Sequence, residues 1–594
     1  MSPGVSSFDD LRRATDQSRT GQTASFDEFF DAVSQHIPLS FTWPDLAREL
    51  AQPDDVNKPQ RVRALRACLA VEPSRLRDDD EEVGKGGASA AARRRIRRFV
   101  ARVLTPLVEE GDDDDDDHHN DDANDDSRRG HVIRRCRSVA EDGLVVLQRV
   151  GLAAPAPAAD RHGSEDNDDD DDDASQILCT VIALADNAGP LRTAAATAAA
   201  AAELVATTFA KSGESLQLAW IADFVLGRYL RPLFARSRPA TVTASGRRAA
   251  YAGNNSSNQR DVADRETRAT KPWKYDDLRA VSVFAWAVKE SDELLVRNHW
   301  PMFTPVLLTL IDDPDTAVRA RGLVLLRAFI DKVPDYRNIL HNTGLESVLA
   351  DAVFPTLLFL PRLTPEKESL QLLEPAYAAL LSLAAAAAAA PVPLSAASSA
   401  GSRRGEDATR GLHHLPPKPA ADLLDKILRD GIYAGYFHAS EHIRIVELLV
   451  RQAGRVIETM GGVYAVKHLK DLIPMYASIM TDPFAMRYKP AVVAATDALQ
   501  TTMVNCWPRM ADTPWQEEII KMLMLCWLNV QEDHGGEERR REKEDNKDLS
   551  ARLVRAADTL LAIMRAADVN VAAKIGPLIA KEPRLADLFK IAGN

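Results

Sequence analysis

Apolar residues recur along most of this chain at three- and four-residue intervals, the spacing that gives a helix one apolar face. In 26–37, Phe26, Phe29, Phe30 and Val33 share such a face. The same spacing predicts helices over 61–71, 91–107, 132–150, 177–184, 194–209 and 216–234. The last of these carries Trp220, Ile221, Phe224, Val225, Tyr229 and Leu230. From Trp273 to about Leu383, and again from Ala420 to Val530, apolar positions are dense and the breaks are short. Further helices are predicted over 549–564 and roughly 571–590. A period-two run of β-branched residues, the mark of a strand, is missing; Thr241-Val242-Thr243 is too short. Helices joined by short breaks make the chain all-α, and its length then suits a stacked helical array better than one closed core.

Polar stretches divide this pattern. Asp112–Asp126 holds ten carboxylates and Glu165–Asp173 holds eight, with no Lys or Arg in either. Like charges repel and cannot form a core, so both runs are expected to be disordered. The expected organisation is a disordered tail at 1–25, helices at 26–110 and an acidic insertion at 111–130. A helix at 131–150, an acidic linker at 151–176 and helical repeats at 177–234 follow. Next come a loop at 235–271, a helical region at 272–390 and a loop rich in Ala, Ser, Gly and Pro at 391–419. Helices at 420–530, a charged linker at 531–548 and terminal helices at 549–594 complete it. The net charge of −13 belongs to the acidic runs: removing their 18 carboxylates leaves −13 + 18 = +5. The basic clusters, Arg93–Arg95 with Arg97–Arg98 and Arg539–Arg541, are short and lack interleaved aromatics, so nucleic acid is not an expected partner. No apolar stretch of about 18 residues stands out and the first residues lack an apolar core, so neither a membrane partner nor a secretory signal is expected. Five cysteines at wide spacings, Cys68, Cys136, Cys179, Cys506 and Cys526, fit no disulfide framework and no zinc site.

One stretch carries a repeat signature. A HEAT repeat has Pro early in its first helix, apolar residues at +2 and +6, and Asp at +8. A Val-Arg pair follows at +13 and +14, a small residue at +17, and apolar residues at +21 and +24. Counted from Pro305, these are Leu307, Ile311, Asp313, Val318, Arg319, Gly322, Leu326 and Phe329. Asp312 and Asp313 fall at the end of the first helix, Pro314 stops it, and Asp315 or Thr316 caps the second. The Asp–Arg pair ties neighbouring turns and Gly322 lets two helices approach. Counted from Pro474, Tyr476, Met480, Asp482, Arg487 and Ala491 make a degenerate copy, with the Val-Arg pair replaced and Pro490 inside the second helix. The fold class read from this is an all-α HEAT/ARM-like solenoid with polar insertions.

Catalytic patterns are weak. His438, Glu441 and His442 spell HxxEH, the inverted zincin arrangement, with Glu517 or Glu518 as a further ligand. Zincins of that kind need a sheet, and the motif runs into Ile443, Ile445, Val446, Leu448 and Leu449, so it reads as the polar end of a packed helix. His118–His119 lie in a solvated acidic tract without fixed geometry, and the Asp runs lack the Gly and Glu of a calcium loop. Gly84–Gly87 lacks the strand and spacing of a phosphate loop. No metal, cofactor or catalytic residue is expected, and the chain is read as a binding protein. Trp300, Trp507, Trp515 and Trp527 are candidate interface anchors, with core packing as the alternative for each.

The stretch from Lys271-Pro272-Trp273-Lys274 to Leu383 resembles the TELO-two-interacting protein two family. The residues that carry the resemblance are Trp273-Lys274, Trp286, His299–Asp313, Arg321-Gly322, His341–Pro361, Thr364-Pro365-Glu366 and Leu372–Leu383. Leu469–Phe484 and Asn505–Met510 are similar to the family as well. The resemblance implies a non-catalytic subunit of the heterotrimeric TTT co-chaperone complex, partnered by two other helical-repeat subunits. It implies action with the ninety-kilodalton heat-shock chaperone on phosphatidylinositol-3-kinase-related kinases, hence DNA-damage checkpoint signalling, telomere maintenance and TOR signalling. A cytoplasmic and nuclear location goes with that role. Partner binding is expected in 420–530, through Lys467, Lys470, Trp507 and Arg509. The alternatives are a HEAT-repeat transport or trafficking adaptor and a zinc peptidase.

Overall fold

The computed structural model describes residues 8–17, 25–52, 59–77, 86–107, 121–152, 155, 165–211, 213–237, 270–333, 337–389, 418–511, 513–532 and 540–590. It divides into two compact units, Met1–Ala240 with Tyr251–Val306, and Thr241–Ala250 with Leu307–Asn594. Among the described residues the only strands are a two-residue parallel pair, β1 (Phe41–Thr42) with β2 (Leu76–Arg77). Everything else is helix and turn, so the chain is an all-α helical-repeat solenoid.

The first unit opens with α1 (Phe8–Gln17), α2 (Phe26–Val33), α3 (Trp43–Leu50) and α4 (Gln60–Ala70). The helices α5 (Gly86–Leu104), α6 (Asp121–Val150), α7 (Glu165–Ala185) and α8 (Ala195–Ala210) follow. Next are α9 (Glu214–Trp220), a π-helical stretch Ile221–Leu230, and α10 (Arg231–Phe234). The short α11 (Pro272–Tyr275) leads to α12 (Ala280–Glu290) and α13 (Glu293–Ile311). Alternate helices touch: α3 packs on α5, α5 on α7 and α7 on α12, while α4 packs on α6 and α6 on α8. This two-layer order follows from sequence, because each helix has one apolar stripe and covers it with the helices before and after it.

Several segments expected to lack structure are helical. Within the expected tail, α1 buries Leu11 and Thr15 completely, and the nearly buried Arg61 donates to the Arg12 carbonyl and to Asp16. The expected insertion 111–130 is helical from Asp121, and the expected linker 151–176 from Glu165. Carboxylates suit a helix N-terminus, where the peptide dipoles leave partial positive charge. In α7, Asp173 and Asp172 pair with Arg98 of α5 and Arg228 of the π-helical stretch, and Ser175 Oγ accepts from Trp220 Nε1 at 3.0 Å. The expected linker 531–548 is helical from Arg540, where α24 (Arg540–Ala566) begins, and buries Asn546. Most of what remains of those runs, His118–His119 included, lies outside the described residues.

The second unit is a run of helix pairs. It contains α14 (Thr316–Ile330), α15 (Leu345–Val353), α16 (Glu366–Ala389), α17 (Lys418–Lys426) and α18 (Ala434–Ala439). Beyond these lie α19 (Ile443–Met460), α20 (Gly462–Ala465), α21 (Leu469–Met480), α22 (Lys489–Cys506), α23 (Pro514–Glu532), α24 and α25 (Val571–Lys581). One layer is formed by α14, α16, α19, α22 and α24, each against the next, and α21 packs on α23 in the other. The helix α16 is long and apolar enough, through Glu366–Ala388, to cross a membrane, contrary to the expectation that no such segment exists. Its Leu372, Leu373, Tyr377 and Leu380 are buried, and it packs between α14 and α19, so that face is a core face.

The repeat anchored on Pro305 has a definite geometry. Asp315 caps α14 by accepting from the amides of Ala317 and Val318. The Asp313 carboxylate accepts from the Asp315 amide at 3.0 Å. Arg319 ties the turn through carbonyl oxygens, donating to Asp313 O at 3.0 Å and Asp312 O at 3.4 Å. A Cβ on Gly322 would stand 2.8 Å from Leu310 Cβ and 3.0 Å from Ile311 N, so only glycine permits this approach. In the copy anchored on Pro474, Asp482 accepts from the Phe484 amide at 2.8 Å. Pro490 is the second residue of α22, where its missing N–H costs no helical hydrogen bond, and not a helix-interior defect.

The first unit holds a buried charge pair. Asp277 and Arg279 are 5% and 4% exposed. Arg279 Nε and Nη2 donate to the two Asp277 oxygens at 2.9 and 2.7 Å. Its remaining donors reach Thr180 Oγ1 and Gln176 Oε1, each at 3.0 Å, and the Gln176 carbonyl at 3.3 Å. Tyr229 Oη donates to Asp277 Oδ2 at 2.9 Å. Burial alone raises a carboxyl, but the Arg279 charge and its hydrogen bonds hold Asp277 below its ordinary value. Burial and the neighbouring Asp277 together raise Tyr229 far above its own. Removing one partner strands the other charge in the interior. Asp277→Ala is therefore expected to lower stability by about 3–5 kcal/mol, and Asp277→Ala with Arg279→Met to recover most of it, in urea unfolding followed by tryptophan fluorescence.

Candidate partner-binding surface

The sequence-proposed binding residues fall where inter-pair linkers meet the C-terminal ends of α19 and α22. The Ile443–Met460 helix ends at Gly461, which takes φ +74°, a left-handed value that favours glycine. Gly462 then lies so close to the Asn505 carbonyl that a Cβ would stand 1.9 Å from it. This contact sets α20 against the last turn of α22, and Val463 at 70%, Val504 at 56% and Trp507 at 49% are exposed apolar residues next to it in the chain. Arg509 shares the short turn Trp507–Arg509 and is exposed. Lys467 lies in the turn Val466–His468 and Lys470, exposed, in the first turn of α21. Val463 and Val504 were not legible as binding candidates, although Gly461-Gly462 marks the close approach beside which they lie.

Lys467 is not an uncommitted cation. Its Nζ is 2.6 Å from Asp425 Oδ1, and the same oxygen is 2.8 Å from His468 Nε2. Burial opposes the charge on Asp425, but Lys467 and then His468 outweigh it and hold the carboxyl low. Burial pushes the His468 imidazole below its ordinary value, and Asp425 and Asp471 offset only part of that against Lys467. The unfolded imidazole takes its proton at about pH 6.5 and the folded one only at lower pH. Stability from this group is thus fully present above the unfolded value and is lost as pH falls through the folded one. The urea midpoint is expected to fall between pH 7.5 and 5.5, and His468→Gln to flatten that fall; an unchanged slope contradicts the assignment.

The other tryptophans are interior or partly so. Trp300 is 9% exposed, Trp527 is 4% exposed and donates to the Arg584 carbonyl at 2.9 Å, and Trp515 is half-buried. Trp273 is buried, stacked on Phe234 at 5.0 Å, with Nε1 donating to Ser237 at 3.1 Å. Trp286 joins Phe209 and Trp220 in one aromatic cluster.

The HxxEH residues do not share a helix. His438 lies near the end of α18, Glu441 in the turn, and His442 precedes α19, with Nδ1 3.3 Å from Glu366 Oε2. The expected single helix breaks at Ser440–Glu441 because this is the turn between two paired helices. Among the described residues no group of three or more His, Cys, Asp or Glu converges as metal ligands. All five thiols are buried, and burial raises Cys136 and Cys506 to about 11 and Cys68, Cys179 and Cys526 to about 12. Such thiols stay protonated and make poor nucleophiles. A cleft of about 500 Å³ between α19 and α22 is lined by Glu447, Arg451, Arg455, Glu458, Lys489 and Asp497 among others. Some of its charges are paired: Arg451 with Glu447, and Asp497 and Asp548 with the neighbouring Arg552.

Compared with known proteins, residues 177–487 match the Tti2 family, just over half of the chain. No curated protein matches it. Among solved structures it is similar to the karyopherin Kap121p bound to the SUMO protease Ulp1p, at 10% identity and TM-score 0.25, covering 98% of this chain and 61% of that one. Kap121p bound to Nup53p is similar at 10% identity and TM-score 0.22, over 98% of this chain and 67% of that one. The chain thus spans about three fifths of the length of the first of these structures.

Proposed function

The chain belongs to the Tti2 family, and from that premise we propose that it is a non-catalytic scaffold subunit of the TTT co-chaperone complex. The family match over 177–487 is the observation that carries the reading, and it spans both the buried Asp277–Arg279 pair and most of the second unit's helix pairs. Two other helical-repeat proteins are its direct partners. Through them, and with the ninety-kilodalton heat-shock chaperone, it supports the folding and assembly of phosphatidylinositol-3-kinase-related kinases. DNA-damage signalling, telomere maintenance and TOR signalling are the processes that depend on it, in the cytoplasm and the nucleus.

Chemistry supports a role without catalysis. The thiols are buried, Glu447, Asp497 and Asp548 of the α19–α22 cleft are held by arginines, and the HxxEH residues lie on both sides of a turn. Stacked helix pairs instead offer a long surface on which many modest contacts accumulate. The binding surface includes Val463, Val504 and Trp507, with Lys470 and Arg509 beside them in sequence-adjacent turns.

A tagged chain purified from its own cells tests this. Two large helical-repeat proteins in near-equal amounts, with giant lipid-kinase-like protein kinases in smaller amounts, are expected by mass spectrometry. Trp507→Ala with Arg509→Glu is expected to reduce their recovery about tenfold, the loss of one interface anchor and its neighbouring charge. Nuclear-pore or vesicle-coat proteins in their place contradict the proposal.

A further inference from the structure

The edge of the second unit opposite Trp507 carries a different surface. There the paired helices turn back on each other, and large apolar side chains are exposed in or just before three consecutive turns, with Leu358 and Ile443 exposed beside the first two. Leu363, before α16, is 92% exposed; Phe437, before α19, is 79% exposed; Phe484, before α22, is 68% exposed. Polar contacts lock these turns side by side. His442 Nδ1 lies 3.3 Å from Glu366 Oε2, joining the first turn to the second. Tyr436 Oη and Ser478 Oγ are 2.6 Å apart, and Tyr488 Oη donates to Glu447 Oε2 at 2.6 Å, joining the second to the third. The preceding turn is joined as well, since Thr316 Oγ1 donates to Glu368 Oε2 at 3.1 Å and Arg319 lies 4.5 Å from the Phe359 ring.

Charge around these side chains is uneven. Arg362, Lys367, Arg444 and Arg487 are exposed on or beside the three turns. Among the carboxylates there, Glu366 is part-buried, takes His442 and lies 3.9 Å from Arg444, while Asp482 is exposed and accepts from the Phe484 amide. Glu441 is exposed as well, so four exposed cations stand against two exposed carboxylates. Large exposed apolar groups beside an excess of exposed cations mark a surface that another molecule covers.

Spacing suggests the shape of the occupant. Packed helices stand about 8–10 Å apart, so neighbouring turns repeat at about that distance. Seven residues of α-helix advance about 10.5 Å. One helix lying across the turns therefore meets Leu363, Phe437 and Phe484 with residues about seven and fourteen apart on a single face. We propose that this edge docks an acidic amphipathic helix of a partner protein, with apolar residues at heptad spacing over Leu363, Phe437 and Phe484 and carboxylates facing Arg362, Arg444 and Arg487. The inference rests on the scaffold reading for the existence of a protein partner, and adds the edge and the chemistry of the segment that it holds.

Site-specific photo-cross-linking tests it. The full chain, made in its own cells, carries p-benzoylphenylalanine in place of Leu363, Phe437 or Phe484, with Leu525, an exposed residue of α23, as the control site. The expected result is one acidic segment of one protein, cross-linked at positions about seven residues apart as the probe moves from turn to turn. Arg362→Glu with Arg487→Glu, checked for native circular dichroism, is expected to cut the yield about tenfold without affecting the Leu525 control. Cross-links to a basic segment, to a second copy of this chain, to unrelated segments at the three sites, or to nothing, overturn the proposal. If the two helical-repeat subunits still co-purify in that case, the docking inference alone has failed; if they do not, the scaffold reading has failed as well.

Discussion

A guanidinium taken out of water must find a partner for every N–H inside the protein, and Arg279 meets this by drawing three segments onto itself. Its five donors are divided between Asp277, Gln176 and Thr180, and Asp277 in turn holds Tyr229. The acidic-headed helix α7, the π-helical stretch after α9 and the turn before α12 are fixed to one another by this cluster. The aromatic packing follows the same arrangement. Trp220 donates to Ser175 one turn before Thr180, and Phe209 and Trp286 close on Trp220. A buried pair of this kind adds little net stability over apolar groups of the same shape, and what it supplies is a single register.

The second unit obeys a related constraint with different means. None of its helices can bury an apolar stripe alone, so each depends on its neighbours, and close approach decides how well they meet. Gly322 against Leu310 and Gly462 against Asn505 are places where a side chain has been given up so that backbones can touch. The result is a stack whose interior is committed to packing and whose two edges are free to differ. One edge exposes Val463, Val504 and Trp507; the other exposes Leu363, Phe437 and Phe484. The proposed scaffold role uses edges and needs no reactive group from the interior.

Much of the fold was legible because it lies in apolar periodicity. The helices expected at 61–71 and 194–209 are found at Gln60–Ala70 and Ala195–Ala210. The turn after Pro305 was readable to single residues, since Asp315, Arg319 and Gly322 act through local geometry that a repeat signature encodes. Helix starts were misread wherever a polar segment leads into an apolar one: α5, α6, α7 and α24 all begin earlier than expected. Periodicity reports only the part of a helix that touches a core, and says nothing of polar turns held by ion pairs or by the helix dipole. The same limit hid α1, whose ten residues bury little beyond Leu11 and Thr15. Nothing in the local sequence marks Asp277 and Arg279 as buried, because their partners Gln176 and Thr180 lie about a hundred positions away. Lys467 looked like a surface cation for the same reason, its partner Asp425 lying in the preceding helix pair.

The claim at the centre is that this chain holds other proteins on the edges of a pre-formed helical stack, with its interior unchanged by binding. Hydrogen–deuterium exchange of the free chain and of the chain in its purified assembly measures this directly. The account predicts slow exchange around Thr180, Tyr229 and Arg279 in both states, with new protection in the assembly confined to the turns and linkers of the second unit. Fast exchange around Arg279 in the free chain, or an assembly that protects no turn or linker of the second unit, would contradict it.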